Sequence, residues 1–146
     1  MQRLLDKIQS KSCIIEIFGL GYVGFPLAVK LSSVGFKVVG IDVNTERIVR
    51  LKKNELQDSE ESLKEKYLEC RKENLVLSEQ PEKNELEKIG IICVPTPIPN
   101  QNTTSDIYVK KATESFLNNA KKGDCLILES SVEVGTTEKD WYLTQY

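Results

Sequence analysis

The chain contains no histidine among its 146 residues. Catalytic Ser-His and Cys-His pairs within this chain are therefore excluded, as are metal sites built on imidazole. Cysteine is scarce, with four residues, and no two of them are spaced as a CxxC pair. Because Cys13, Cys93 and Cys125 fall within apolar runs, we expect reduced core thiols and no metal site.

Long apolar runs and an excess of one charge are also missing. With 20 basic and 22 acidic residues, the chain gives no electrostatic reason to expect binding to nucleic acid or to a membrane surface. No run approaches the roughly 18–20 apolar residues of a transmembrane helix, and residues 1–12 contain no signal-peptide core. We therefore expect a cytoplasmic protein in which residues 1–146 form a single domain.

Apolar runs and helical patterns alternate along the chain. The runs that predict strands are 13–18, 37–42, 75–77, 89–94 and 125–128. Helices are predicted near Val23, after a cap at Asn44 or Thr45, over 59–72 and after Asp106. This alternation predicts an α/β fold, a doubly wound parallel Rossmann sheet of about five strands in the order 3-2-1-4-5.

Finer features are predicted around the third and fifth strands. Asp58 and Glu61 have capping-box spacing at the start of the 59–72 helix. The polar segment 81–88 is expected to hold one helical turn. The fifth strand is expected to be an open edge, at which another chain could pair.

A glycine pattern lies between the first strand and the following helix. It reads Gly19-Leu20-Gly21-Tyr22-Val23-Gly24. The first glycine permits a tight turn, the second lets the main chain approach a pyrophosphate, and the third lets helix and strand pack closely. The phosphates would lie against free N–H groups at a helix N-terminus. The pattern predicts a dinucleotide site, and a purely structural turn is the alternative.

Asp42 ends the second strand, close to the roughly 20-residue spacing expected of a ribose-binding acid. Its carboxylate would accept hydrogen bonds from ribose hydroxyls and repel a 2′-phosphate. Val43 and Asn44 follow, with no arginine immediately available to pair that phosphate. These residues favour NAD over NADP, although Asp42 could instead be a helix cap or a solvated strand end.

Four segments together resemble the N-terminal domain of the UDP-glucose/GDP-mannose dehydrogenase family. They are GLGYVGFPLAV (19–29), GIDVNTERI (40–48), IICVPTPI (91–98) and LESSVEVGTTE (128–138). The resemblance covers about residues 4–138, and the tail beyond it has no counterpart. The segment LLDKIQSKS and the phrase ILES are most similar to the branch that oxidises UDP-N-acetylhexosamines.

The resemblance implies roles for individual residues. The glycine loop and Asp42 would bind the adenosine half of NAD, with Arg47 nearby. Ser131 stands where the family usually has a threonine whose hydroxyl orders a catalytic water, although Thr96 and Ser131 could be ordinary polar loop residues. The implied cofactor-binding residues are Gly19, Leu20, Gly21, Tyr22, Val23, Gly24, Asp42, Arg47, Val94, Pro95, Thr96, Pro97, Ser130, Ser131 and Val132.

The family oxidises the C6 alcohol of a nucleotide sugar to a carboxylate in two NAD-dependent steps, chemistry expected to serve polysaccharide biosynthesis. The cysteine, lysine, asparagine and acid of that chemistry lie beyond the part resembled here, so this chain alone is expected to be truncated and inactive. Cys93 matches a structural position of the family, and a nucleophilic role is the lesser alternative. A homodimer would need another surface, such as the fifth-strand edge, because the family's central dimerising helix is absent.

Two other hypotheses remain open from the sequence. The chain could be a non-catalytic NAD-binding module that acts with a partner chain. It could also be another Rossmann enzyme, such as a hydroxyacid-type dehydrogenase or a methyltransferase, against which the four matching segments count.

Overall fold

A five-stranded sheet with helices on both faces forms the molecule, in a computed structural model that describes residues 2–97 and 106–136. Its strands are β1 (Ile14–Phe18), β2 (Lys37–Ile41), β3 (Leu75–Ser78), β4 (Lys88–Ile92) and β5 (Cys125–Leu128). Its helices are α1 (Gln2–Gln9), α2 (Gly24–Ser33), α3 (Thr45–Lys52), α4 (Lys64–Glu73) and α5 (Ile107–Leu117), with a 3-10 helix over Asp58–Leu63. No helix in these ranges has the length and apolar character needed to cross a bilayer.

All strand pairs are parallel, and the strand order is β3-β2-β1-β4-β5. The predicted Rossmann topology is therefore confirmed. At the end of β1, Phe18 is level with Ile41 of β2 on one side and with Ile92 of β4 on the other. The loops that leave these three central strands consequently emerge next to one another, at the carboxyl edge of the sheet.

The two faces of the sheet are covered by different helices. Phe25 and Tyr67, from α2 and α4, meet edge to face with their ring centroids 5.1 Å apart on one side, where α3 also buries Ile48. On the other side, Phe116 of α5 packs edge-on against Phe18. This burial on both faces explains why most strand residues are apolar rather than alternating.

One charged pair lies inside this core. Glu16 of β1 is 1% exposed and Lys88 of β4 is 0% exposed, with 3.4 Å between Oε2 and Nζ. The Lys88 ammonium also lies 5.1 Å from the centroid of the Phe116 ring. Burial raises the pKa of the Glu16 carboxyl above its ordinary value, and the attraction of Lys88 partly offsets this rise.

Two local predictions are wrong. The capping box is formed by Gln57 and Glu60, one residue before the predicted Asp58 and Glu61. The Glu60 carboxylate also binds Arg47, and this tertiary contact fixes the position of the box. Segment 81–88 contains no helical turn. The side chain of Asn84 accepts a hydrogen bond from the N–H of Leu86, and this bond replaces the one that a helical turn would give to that N–H.

Candidate functional site

A cavity of about 790 Å³ opens at the carboxyl edge of the sheet. Segments that follow all five strands and one face of α5 enclose it, at the edge where open α/β sheets bind their ligands. The lining residues that the sequence predicted are Gly19, Leu20, Gly21, Tyr22, Val23, Asp42, Arg47, Val94, Pro95, Thr96, Ser130 and Ser131. The structure thus brings these predicted residues together around one space.

Two glycines close the loop between β1 and α2. Gly19 has φ +93°, and a Cβ added there would lie 2.8 Å from the carbonyl oxygen of Cys93. A Cβ added at Gly24 would lie 1.8 Å from the carbonyl oxygen of Gly19. Gly24 therefore packs beneath the loop and does not line the cavity, consistent with the close helix–strand packing predicted for it.

Gly21 differs from both, because a Cβ added there meets no atom within 4 Å. The position faces the open cavity. Within the described ranges, the N–H groups of Gly21, Tyr22 and Val23 donate to no acceptor. These N–H groups precede the N-terminus of α2, where the helix dipole favours an anion. This combination suits a diphosphate held by the main chain.

Asp42 follows β2 and lines the same cavity. Its Oδ2 accepts a hydrogen bond from the N–H of Leu20 at 2.8 Å, and its Oδ1 accepts one from the N–H of Asn44 at 2.9 Å. Each carboxylate oxygen can accept a further hydrogen bond. The carboxylate is therefore fixed in orientation and still able to accept hydrogen bonds from sugar hydroxyls.

Although no arginine follows Asp42 directly in sequence, the fold brings one to the same cavity. Arg47 lines the cavity, and its Nε donates to the carbonyl oxygen of Leu20 at 3.0 Å. Its guanidinium forms an ion pair with Glu60 and lies 5.2 Å from the centroid of the Phe25 ring. The side chain of Asn44 caps α3 by accepting a hydrogen bond from the N–H of Arg47. This bond fixes the main chain from which the Arg47 side chain extends.

The loops after β4 and β5 are joined by Ser130. Its hydroxyl donates to the carbonyl oxygen of Val94 at 2.7 Å. Ser131 is exposed and lines the cavity, whereas Pro97 and Val132, both predicted to bind the cofactor, do not line it. The hydroxyl of Ser131 is therefore free to contact a molecule in the cavity.

Cys93, at the end of β4, also borders the cavity. Burial, helped by the negative charge of Glu129, raises the pKa of its thiol to about 11. A thiol with this pKa stays protonated at neutral pH and is a poor nucleophile. Across residues 2–97 and 106–136, no group of three His, Cys, Asp or Glu residues is placed to hold a metal ion.

Several lining residues were not predicted from the sequence. Tyr108, Lys111 and Ser115 of α5 share one face of that helix and border the cavity. Their spacing of three, then four residues is a signal that could have identified them. Glu79 and Glu129 directly follow β3 and β5, so the rule that strand ends carry binding residues in α/β sheets would have found both.

Comparison with known proteins gives one family. The family model described as "UDP-glucose/GDP-mannose dehydrogenase family, NAD binding domain" matches residues 13–145. The match starts later than the resemblance found from the sequence and extends into the tail, for which no counterpart was expected.

Three relatives illustrate the similarity. The UDP-N-acetyl-D-mannosamine dehydrogenase of Methanocaldococcus jannaschii is 33% identical over 135 residues, covering 90% of this chain and 30% of the relative. The UDP-N-acetyl-D-glucosamine 6-dehydrogenase of Salmonella typhi is 38% identical, covering 86% and 29%. The solved structure of the Staphylococcus aureus UDP-N-acetyl-mannosamine dehydrogenase Cap5O has a TM-score of 0.77 at 30% identity, covering 86% and 31%. This chain therefore spans about a third of the length of these relatives.

Proposed function

Since this chain belongs to the UDP-glucose/GDP-mannose dehydrogenase family, whose NAD binding domain it matches, we propose that it supplies the cofactor site of a nucleotide-sugar 6-dehydrogenase. That enzyme oxidises the C6 alcohol of a nucleotide sugar to a carboxylate in two NAD-dependent steps. Bound NAD supplies the hydride acceptor for both steps. Residues 1–146 form the cofactor domain, and the groups that act on the sugar belong to sequence beyond the part matched here.

The anchored carboxylate of Asp42 is the observation that carries this proposal. It lines the same cavity as the glycine loop and is hydrogen-bonded to Leu20 within that loop. In our proposal, Asp42 accepts hydrogen bonds from the adenosine ribose. The N–H groups of Gly21, Tyr22 and Val23 bind the diphosphate, and Gly19 and Gly24 allow the loop to close around it.

The loops after β4 and β5 serve the other end of the cofactor in this proposal. Val94, Pro95 and Thr96 border the nicotinamide side of the cavity, and Ser130 holds their loop against its own. The exposed hydroxyl of Ser131 orders a catalytic water. Pro97 and Val132, the other predicted residues of these two loops, do not line the cavity.

The names of the relatives support a proposal for the substrate class. Those of M. jannaschii and S. typhi are named for UDP-N-acetyl-D-mannosamine and UDP-N-acetyl-D-glucosamine. We assign this chain to an enzyme for a UDP-N-acetylhexosamine, working in the cytoplasm and delivering a sugar acid for polysaccharide synthesis. A non-catalytic NAD-binding module is the alternative. Because this chain alone is expected to be inactive in either case, a neighbouring reading frame that encodes the missing catalytic half would favour the dehydrogenase.

Calorimetric titration of the purified chain with NAD tests the proposed site. We expect saturable binding of one NAD per chain, competed by ADP-ribose, which carries the adenosine ribose and the diphosphate but no nicotinamide. A chain that is folded by circular dichroism but releases no binding heat with NAD would overturn the proposal.

A further inference from the structure

We propose that Glu60 sets the preference of this site for NAD over NADP by occupying the guanidinium of Arg47. This inference rests on the proposed function, because it concerns the selectivity of the same cofactor site. It starts from two residues that the sequence keeps apart and the fold brings together. Glu60 belongs to the 3-10 helix, and Arg47 belongs to the first turn of α3.

In this proposal, Arg47 is the cation that a 2′-phosphate would meet. Leu20 links it to Asp42, because the N–H of Leu20 donates to the Asp42 carboxylate and the carbonyl oxygen of Leu20 accepts from Arg47 Nε. Asp42 and Arg47 both line the cavity. In NADP the phosphate is esterified to the 2′ oxygen, one of the oxygens that Asp42 would contact in NAD, so we expect it to lie near this guanidinium.

Glu60 occupies N–H donors with which Arg47 would bind that phosphate. Arginine recognises phosphate best through two parallel N–H donors. Nη1 donates to Glu60 Oε2 at 3.2 Å, Nη2 donates to Glu60 Oε1, and Nε is committed to Leu20. The edge formed by Nη1 and Nη2 is therefore fully used within the protein, and the edge that contains Nε has one of its two donors used.

Glu60 is itself held in place. It is 2% exposed, and its Oε2 also accepts a hydrogen bond from the N–H of Gln57 at 2.9 Å. A carboxylate fixed in this way cannot swing aside to release Arg47. Its charge also cancels that of the arginine, which leaves the negative Asp42 to dominate the field at the ribose.

Replacing Glu60 with glutamine tests the inference. E60Q removes the negative charge and leaves one acceptor oxygen, so one prong of the guanidinium is released. We expect NADP to bind about tenfold more tightly than to the wild type, the value of one charge-assisted hydrogen bond, while NAD affinity changes by less than about threefold. Both constants are measured by calorimetry at one salt concentration.

Two variants control for charge and for the role of Arg47. E61Q makes the same change at an exposed glutamate of the same 3-10 helix, which pairs with Lys64 at the surface, and should leave both affinities unchanged. R47Q/E60Q removes the guanidinium and should abolish the gain in NADP affinity. If circular dichroism shows that E60Q is unfolded, E60D takes its place. The shorter side chain of aspartate keeps the charge but should weaken the two hydrogen bonds to Arg47.

The possible outcomes separate this inference from the proposed function. A wild-type chain that binds no NAD overturns both. A chain that binds NAD, but whose NADP affinity stays the same in E60Q or E60D, overturns only the role of Glu60. A gain that persists in R47Q/E60Q overturns the role given to Arg47.

Discussion

The carboxylate of Asp42 accepts a hydrogen bond from the main-chain N–H of Leu20, with 2.8 Å between Oδ2 and N. Leu20 lies inside the glycine loop, so the acid at the end of β2 and the loop after β1 are fixed relative to each other. A second bond, from the N–H of Asn44, holds the other carboxylate oxygen. The two parts that we propose to bind the adenosine half of NAD are therefore prearranged, which would lower the conformational cost of binding.

Asp42→Asn should weaken NAD binding by about tenfold or more, since it removes a charge-assisted acceptor for the ribose hydroxyls. The new amide group would also point a donor at one of the two main-chain N–H groups. Calorimetry measures the loss. Glu46→Gln, the same change at an exposed position in the first turn of α3, should bind NAD like the wild type. Equal NAD affinity in the two variants would contradict the role of Asp42.

Gly21→Val should abolish NAD binding and leave the fold intact. An added Cβ there meets no protein atom within 4 Å, yet the side chain would occupy the space that we propose for the diphosphate. We expect a thermal melt close to that of the wild type, with no binding heat. Gly24→Ala should instead lose about 3 kcal/mol or more of stability, because its Cβ would overlap the carbonyl oxygen of Gly19. Unchanged NAD affinity in G21V would refute the assignment of the loop.

The sheet order and the glycine loop could be predicted from the sequence because their signals are local. A strand, three glycines and a helix follow one another within residues 14–33, and the handedness of parallel crossovers leaves few topologies open. The cavity then follows, since parallel strands bring their carboxyl ends to one edge. Asp42 was predictable for the same reason.

Tertiary contacts explain what the sequence did not predict. Helix α1 has no counterpart among the predicted elements, because its eight residues depend on Leu4 and Ile8 packing against the core. Lys88 was predicted to end a polar segment, but it pairs with Glu16 inside the sheet. Glu60 meets Arg47 across a separation of 13 residues. No periodic pattern marks such ion pairs.

The chain alone should produce no NADH when it is mixed with NAD and either UDP-N-acetyl-D-glucosamine or UDP-N-acetyl-D-mannosamine. It contains no histidine, and its one cysteine at the cavity is held as a thiol. NADH absorbance measures turnover, with binding of NAD to the same preparation as the control. Steady NADH production would show that the catalytic groups lie within these residues, contrary to the proposal.

Cys93 should resist alkylation in the native protein. With a pKa of about 11, only a very small fraction of this thiol is ionised near pH 8, and the thiolate is the reactive species. Peptide mapping after a short iodoacetamide treatment should find Cys93 unmodified, whereas the same treatment in guanidinium should modify all four cysteines. Rapid labelling of Cys93 in the native protein would contradict the raised pKa and would make Cys93 a candidate nucleophile again.

Lys88→Met should destabilise the fold by about 3 kcal/mol at neutral pH, because it leaves the buried Glu16 carboxylate without its cation. Lys64→Met is the matched control, since Lys64 pairs with Glu61 at the surface and should cost less than about 1 kcal/mol. Denaturant unfolding measures both values. A loss in K88M no larger than that in K64M would mean that the buried pair contributes nothing.

The loss in Lys88→Met should shrink on acidification. Burial raises the pKa of Glu16 in the folded chain above its unfolded value, so the folded state binds more protons and the contribution of Glu16 is fully present only below about pH 4.3. That contribution is lost as the pH rises through the raised pKa. Removing the Lys88 cation raises the pKa of Glu16 in the folded chain further. The loss of stability in K88M is therefore larger near neutral pH than in acid. Unfolding of wild type and K88M at pH 4.5 and pH 7 should therefore give the smaller difference at pH 4.5, and a difference independent of pH would show that Glu16 does not titrate in this range.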